Sequence, residues 1–479
     1  MTGLAGRALY DWRMALADMT SPEVEAYLRR RTGVAASTSA MAWRMRLLKS
    51  KWTWTAVCVI ACAITSIIIL IRSVEATIVQ SDGTQIPGLN SDALRLAAGK
   101  ALPTLAFWVV CFVLVDRYKP QRILVWFLAV LWGSCVAVTG AYYLNNWVGS
   151  HMAVVDETSG LAPARLAVFV APFVEEGMKA CVIFLIASVD RNRFTSRVSG
   201  AVIGGLAGAG FAFTENIIYY ARVVVYGSYT TGAGNVMDQL AQIVYQRGVV
   251  TCFGHPLFTM MTGIGIGFAV TSRSKIVRVI APVAGYLMAA LLHMFFNWSA
   301  TFIPDDMLEP LFFIIAWPAV FMVAIRLTLS SVAQNRTIAA RLGDYVTMGW
   351  LPKSYPIALR KIRTRVWTLI ISCWYANPIR TWQFQTRGIE LAMLREQITR
   401  GTVDHGGLWK EYELVEDISR LAHNGGLVDG TGLRPYWPWS KKARRRRFAA
   451  PVPVGATAGE TTGSLLKYSA IDPRWGPPS

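Results

Sequence analysis

The sequence predicts an all-α polytopic membrane protein: a bundle of about eight transmembrane helices, then a mostly helical cytoplasmic region and a disordered tail. Three observations predict it. Hydrophobic residues fill 53% of the 479 positions and mean hydropathy is +0.37, too apolar for a chain that faces water throughout. The apolar residues gather in stretches near the roughly 20 residues that a helix needs to cross a bilayer. Those stretches do not alternate as barrel strands would, and lipid offers no partner to an unpaired backbone group, so they are read as helices.

In chain order, residues 1–50 read as a cytoplasmic helical segment, with Ser21 as a helix cap, Pro22 in the first turn, and Glu23 and Glu25 near the positive end of the dipole. The first apolar run follows a long Arg-rich stretch, so it is expected to remain as an anchor rather than leave as a signal peptide. Residues 51–328 form the membrane domain, with spans expected at 54–71, 96–115, 123–143, 164–188, 198–220, 248–270, 277–298 and 308–327. Arg and Lys crowd the N-terminal segment and the connections 117–122, 191–197 and 273–278. These alternate with loops bearing Asp82, Asp92, Asp156, Glu157, Asp238, Asp305 and Asp306. The positive-inside rule then puts both termini in the cytoplasm of a multi-pass plasma-membrane protein, in line with an even number of spans.

Residues 329–430 are expected to be a cytoplasmic helical region, with helical periodicity at 333–348, 356–374, 381–400 and 408–423. The apolar run 366–375 is too short to span and reads as a buried or interfacial helix. Residues 431–479, rich in Gly, Pro and Arg, read as a disordered tail. Its basic run, Lys441, Lys442 and Arg444 to Arg447, reads as a lipid-touching or solubilising patch. Much of the net charge of +19 lies at cytoplasmic membrane edges and in this tail, so the lipid bilayer is the expected partner and nucleic acid is not. Six of the seven cysteines lie within spans as small apolar fillers, and neither a disulfide framework nor a CxxC site is readable.

Ionisable residues inside the spans carry the functional signal, because a charge in hydrocarbon costs several kcal/mol and usually faces a wet cavity or a bundle interior. Glu175, Glu176 and Lys179 lie in the fourth span, Glu215 in the fifth, His255 in the sixth and His293 in the seventh. Glu175 and Lys179 are four apart and share a helix face, as do Phe211 and Glu215, His255 and Thr259, and His293 and Asn297. The helix rise puts the ionisable groups roughly 8 to 17 Å below the outer surface, a common level for four helices of alternating direction. Pro172 and Pro256 each remove a helix hydrogen bond beside them. Gly200, Gly204 and Gly208, four apart, let the fifth span approach a neighbour closely.

These residues resemble those of the PrsW-type intramembrane proteases, relatives of the CAAX-processing membrane proteases. The resemblance rests on Glu175-Glu176-Gly177-Met178-Lys179 as EExxK, Phe211 to Glu215-Asn216 as FxxxEN, His255, and His293 to Asn297 as HxxxN, and it covers roughly residues 100–327. The CAAX-type relatives carry EExxxR and a His where this chain has Glu215, so prenylated substrates are not implied. The resemblance implies hydrolysis of peptide bonds in membrane-anchored proteins.

Such hydrolysis needs an activated water, an acid for the leaving amine and donors for the oxyanion. With the resemblance, Glu175 and Glu176 are expected to hold and deprotonate the water, Lys179 to tune them, and Glu215 and His255 to complete the water or metal site. His293 and Asn297 are expected to orient the substrate carbonyl. Glu176, His255 and His293 are the three candidate ligands for a zinc ion, and a metal-free glutamate mechanism stays open beside it. HExxH and GxSxG are absent from the sequence. A proton-coupled transporter also uses intramembrane acids and histidines, but the acidic motif is not repeated in the other half of the bundle. A non-catalytic membrane scaffold is the further alternative.

Overall fold

A computed structural model of the chain describes residues 48, 50–79, 85–155, 162–189, 194, 196–227, 235–347, 351, 353–400 and 405–434. The expected cap at Ser21, the basic run at 441–447 and most of the expected tail lie outside them. The chain divides into two compact units, one of residues 51–116 and 120–330, the other including residues 117–119 and the chain from Ser331 onward.

The first unit is a helix bundle. It contains α1 (Lys51–Glu75), α2 (Ser91–Val115), α3 (residues 123–155), α4 (residues 162–189), α5 (Arg197–Tyr226), α6 (Val236–Tyr245), α7 (Gly254–Thr271), α8 (Lys275–Phe302) and the first part of α9 (residues 305–347). Side-chain caps fix several helix starts: Asn90 accepts from the Ala93 amide at 2.8 Å and Ser196 from the Ser199 amide at 3.1 Å. A short antiparallel pair that hydropathy did not signal, Ile78–Val79 with Gln85–Ile86, joins α1 to α2.

Among the described residues, seven helical stretches are long and apolar enough to cross a membrane, so the protein is a multi-pass membrane protein. The stretch expected to be the fourth of eight spans, 164–188, is helical as α4 but carries Glu175, Glu176 and Lys179, and that charge separates it from the other seven. The expected span 248–270 is interrupted. Here α6 runs through a π turn at Gln246–Val250, the chain breaks at 251–253, and α7 restarts at Gly254. Pro256 therefore sits in a first turn, where no amide hydrogen is required. The helix expected at 333–348 is instead the far end of α9, because no Gly or Pro signal stops the helix when its sequence turns polar.

α5 is the hub and packs on α2, α3 and α7. Its glycines meet α7 backbone to backbone. A Cβ at Gly200 would collide with the Gly263 carbonyl, one at Gly204 with that of Thr259, and one at Gly208 with that of His255. Outward positions such as Ile280, Val283, Leu287 and Leu291 of α8 are exposed, as lipid-facing side chains are.

The second unit holds the end of α9, α10 (Ser354–Arg360), α11 (Ile362–Tyr375), α12 (Pro378–Thr399) and α13 (His405–His423). The expected helix 356–374 is thus two helices, broken at Lys361, whose backbone is extended. Ile338, Leu342, Phe384, Leu391, Leu394, Leu414 and Ile418 form its core.

Candidate active site

Four helices deliver the cluster: α4 brings Glu175, Glu176 and Lys179, α5 brings Glu215, α7 brings His255 and α8 brings His293. Glu176 and Lys179 are wholly buried. Lys179 Nζ donates to Glu176 Oε1 at 2.7 Å, and Thr259 Oγ1 donates to Glu176 Oε2 at 2.8 Å. His293 Nδ1 stands 3.2 Å from Glu176 Oε1, so both oxygens of Glu176 are engaged. On the other side, His255 Nε2 lies 2.9 Å from Glu215 Oε2, and His255 Nδ1 lies 3.0 Å from Lys179 Nζ. The two imidazoles meet edge to face with centroids 4.9 Å apart, Phe258 stacks on His293, and Lys179 Nζ sits 4.0 Å above the Phe211 ring. An ammonium held between carboxylates, a ring face and an imidazole nitrogen is compensated in place of water.

Each histidine is thus gripped by a carboxylate through one nitrogen, Glu176 on His293 and Glu215 on His255. That contact assigns the N–H to the gripped side and leaves the other nitrogen as a lone pair. His293 Nε2 faces Glu175 Oε2 at 3.9 Å, and His255 Nδ1 accepts from Lys179. Among the described residues, Glu175 Oε2 is the one buried carboxylate oxygen of this unit without a hydrogen bond. Its nearest cation, Lys179 Nζ, is 3.8 Å away.

Glu175, His255 and His293 offer ligand atoms within 4.8 Å of one another. This group differs in one member from the set expected from the sequence, Glu176, His255 and His293. Glu176 is committed to Lys179, Thr259 and His293, whereas its neighbour Glu175 has the open oxygen. Asn297 is also placed differently from the expectation that it orients a carbonyl beside His293. The N-terminal part of α4 carries a π turn, Leu166–Val170, in which the Ala171 amide bonds to the Leu166 carbonyl five residues back. In that register Pro172 has no N–H for the Ala167 carbonyl, and Asn297 Nδ2 supplies the missing donor at 2.8 Å. The shared face of His293 and Asn297 thus serves α4 at two levels, one polar cluster and one orphan carbonyl.

Arg247 was not anticipated. It lies in the π turn before α7, where its Nε donates to Asn216 Oδ1 at 2.8 Å, its Nη2 pairs with Glu215 Oε2, and its guanidinium covers the Tyr219 ring at 3.9 Å. The same oxygen of Glu215 therefore receives both Arg247 and His255. The readable signal was an Arg abutting an apolar run, one helix away from an intramembrane Glu.

Acids and histidines gathered from four helices inside a membrane bundle define a class, an integral membrane hydrolase with a buried Glu/His centre. Residues 119–325 match the model of the family described as PrsW family intramembrane metalloprotease, and the match contains every residue of the cluster. Over these residues the chain is similar to that family, and the match supports an intramembrane protease that sits in the bilayer and acts on membrane protein substrates. No curated protein and no solved structure matches the chain.

Proposed function

We propose that the protein is an endopeptidase that cuts membrane-anchored proteins near the extracytoplasmic end of their span, with Glu175 as the group that meets the attacking water. The observation that carries this is the free Oε2 of Glu175, set 3.9 Å from a histidine nitrogen and 3.8 Å from an ammonium in an otherwise paired cluster. A carboxylate short of water is a stronger base. Glu175 takes a proton from the water as its oxygen adds to the scissile carbonyl carbon, and then delivers that proton to the leaving amine nitrogen. Lys179, held by Glu176 and leaning on His255, keeps positive charge beside the site, where it stabilises the oxyanion. Glu176 and Glu215 orient His293 and His255, and Arg247 fixes Glu215.

The family description names a metal, and the donor set fits one. Glu175, His255 and His293 would hold it, with zinc the ion that a Glu/His/His set suits. Bound there, a divalent cation would supply Lewis acidity and make water more acidic.

Loop charge supports the side of cleavage. The loops at 117–122 and 273–278 are basic and those at Asp92, Asp238 and Asp305 acidic, which supports cytoplasmic termini in the plasma membrane and a cluster in the outer half of the bilayer. The juxtamembrane part of a single-span substrate reaches such a site from outside.

The test is purified protein in liposomes with a membrane-anchored peptide, comparing wild type with Glu175→Gln, which keeps shape and cannot accept the proton. We expect a folded, inserted and inactive variant. Full activity in Glu175→Gln removes the proposal. Metal analysis of both proteins separates the two uses of that oxygen: metal retained marks a proton acceptor, metal lost marks a ligand. Mass spectrometry of the products locates the cut, and a scissile bond on the cytoplasmic side of the substrate's span refutes the topology. Lys179→Ala is a poor probe, since leaving Glu176 buried and unpaired costs about 3–5 kcal/mol.

A further inference from the structure

Helix α11 is inside out. The side chains that it turns into its own unit are mostly polar: Arg365, Thr368 and Ser372, at spacings of three and four, are buried. Each has its partner there. Arg365 donates to the carbonyls of Arg117 at 2.8 Å and Tyr118 at 3.1 Å, Thr368 Oγ1 accepts from the Gly430 amide at 3.0 Å, and Ser372 Oγ donates to the Leu369 carbonyl. The opposite face, Val366, Trp367, Ile370 and Trp374, is exposed, and the start of α12 continues it with Ile379 and Trp382. A helix bordering water shows the reverse order, because burying apolar area is favourable by about 25 cal/mol per Å² and exposing it forfeits that gain. A polar inner face and an apolar outer face are arranged for a medium less polar than the unit's own interior.

Three further observations say which medium. The outward face is rich in tryptophan, whose flat amphipathic ring favours the headgroup level of a bilayer. Residues 351–389 contain seven Lys and Arg and no Asp or Glu, and Arg360, Lys361 and Arg363, exposed at the start of α11, are placed to meet phosphates while their stems lie along the apolar face. Arg117 and Tyr118, whose carbonyls hold Arg365, belong to the same compact unit and close the apolar stretch Ser91–Tyr118. The polar face of α11 is therefore fastened to the last residues, in the chain, of a stretch long and apolar enough to cross a membrane. At 14 residues, α11 is too short to span and long enough to lie in the interface.

We propose that α11 and the first turn of α12 form an interfacial lipid-binding surface, which lays Val366, Trp367, Ile370, Trp374, Ile379 and Trp382 among the acyl-chain ends of an anionic leaflet. This surface holds the second unit against the bilayer independently of catalysis, and the lipids that it takes are those with phosphate-bearing, negatively charged headgroups.

Spin labelling of the full chain tests it. A nitroxide is placed at Ile370→Cys in a variant whose native cysteines are replaced, reconstituted in vesicles of phosphatidylglycerol and phosphatidylcholine, and its collisions with oxygen and with a water-soluble nickel chelate are compared. The expected result is high oxygen and low nickel accessibility, with nickel accessibility high at a control label at Arg400, exposed at the far end of α12. In the Lys361→Glu, Arg363→Glu background, or in pure phosphatidylcholine, the label shifts toward water, each lost cation weakening attraction roughly fivefold. High nickel accessibility at Ile370→Cys in anionic vesicles means that the face is in water and overturns the proposal. Low accessibility to both relaxers means that protein covers the face, either another segment or a second copy, and overturns it equally. Cleavage of the membrane-anchored peptide, measured alongside, reports the catalytic reading separately.

Discussion

Both units bury a charged cluster, and each contains a carboxylate oxygen with no hydrogen bond. Among the described residues, in the membrane unit it is Glu175 Oε2, and in the second unit Glu411 Oε2 is one of two, with Glu390 Oε1 the other. Their surroundings differ. Around Glu411 stand Tyr345, which donates to its other oxygen, and Arg395 at 3.6 Å, itself 3.8 Å from Asp344. Around Glu175 stand two histidines, each with one nitrogen fixed by a carboxylate, and an ammonium. A phenol and a guanidinium neither accept a proton near neutral pH nor bind a metal as imidazole does. The side chain of Glu175 is also 10% exposed against 1% for Glu411, while the unbonded Oε2 is itself buried in both. Buried charge and an open oxygen do not make a site. An imidazole nitrogen facing that oxygen, with a second imidazole beside it, is what sets Glu175 apart.

Paired substitutions probe that contrast most strongly. Glu175→Gln is expected to lower peptide cleavage by about 100-fold or more, the usual scale of a lost general base, while Glu411→Gln leaves it within about twofold. Equal losses, read by turnover in liposomes, would dissolve the distinction. Arg247 comes next. Arg247→Gln removes the fork that holds Glu215 and Asn216, and a loss of roughly 10- to 100-fold in kcat is expected, as for groups that orient a reacting shell. Arg247→Lys should recover part of it, since an ammonium cannot reproduce the planar fork.

Glu411 gives a pH signature in stability instead. Burial, with Tyr345 and Arg395 only partly opposing it, raises its pKa from 4.5 to about 7. The folded state therefore keeps a proton that the unfolded state releases above about 4.5, so stability declines as pH rises from there to about 7 and is level beyond. The span is on the order of 3 kcal/mol. Glu411→Gln should flatten it and raise stability at pH 8, measured by hydrogen exchange across His405–His423 in the intact protein. The smallest effect is expected at Asn297→Ala, which strands the Ala167 carbonyl at a cost of about 1–2 kcal/mol. Faster exchange at the start of α4, with cleavage reduced less than about tenfold, is the expected outcome.

The pairing of helix faces was legible from spacing alone. Glu175 with Lys179 and the glycine row of α5 are local patterns, and folding acts on them directly. Other features depended on neighbours that spacing does not name. Glu175 and Glu176 are adjacent in sequence but point about 100° apart around the helix. Only the arrival of Thr259 and His293 decides which acid is saturated. Arg247 falls one residue before the expected span 248–270, because hydropathy ends a span at a charge, and its compensation by Glu215 is a tertiary fact. The role of Asn297 rests on a π register, which shifts the carbonyl orphaned by Pro172 from four residues back to five.

The contact of α5 with α7 has a consequence for how a substrate gets in. Where Gly208 lies on the His255 carbonyl and Gly204 on that of Thr259, no side chains stand between the two helices to swing aside. Parting them would mean separating whole backbones and moving His255 with them. That seam is therefore a shut wall, whereas the boundary of α4 and α8 is held by side chains. The bridges there are Tyr286 to the Phe173 carbonyl, Asn297 to the Ala167 carbonyl and His293 to Glu176, so the same boundary that side chains hold also carries part of the polar cluster.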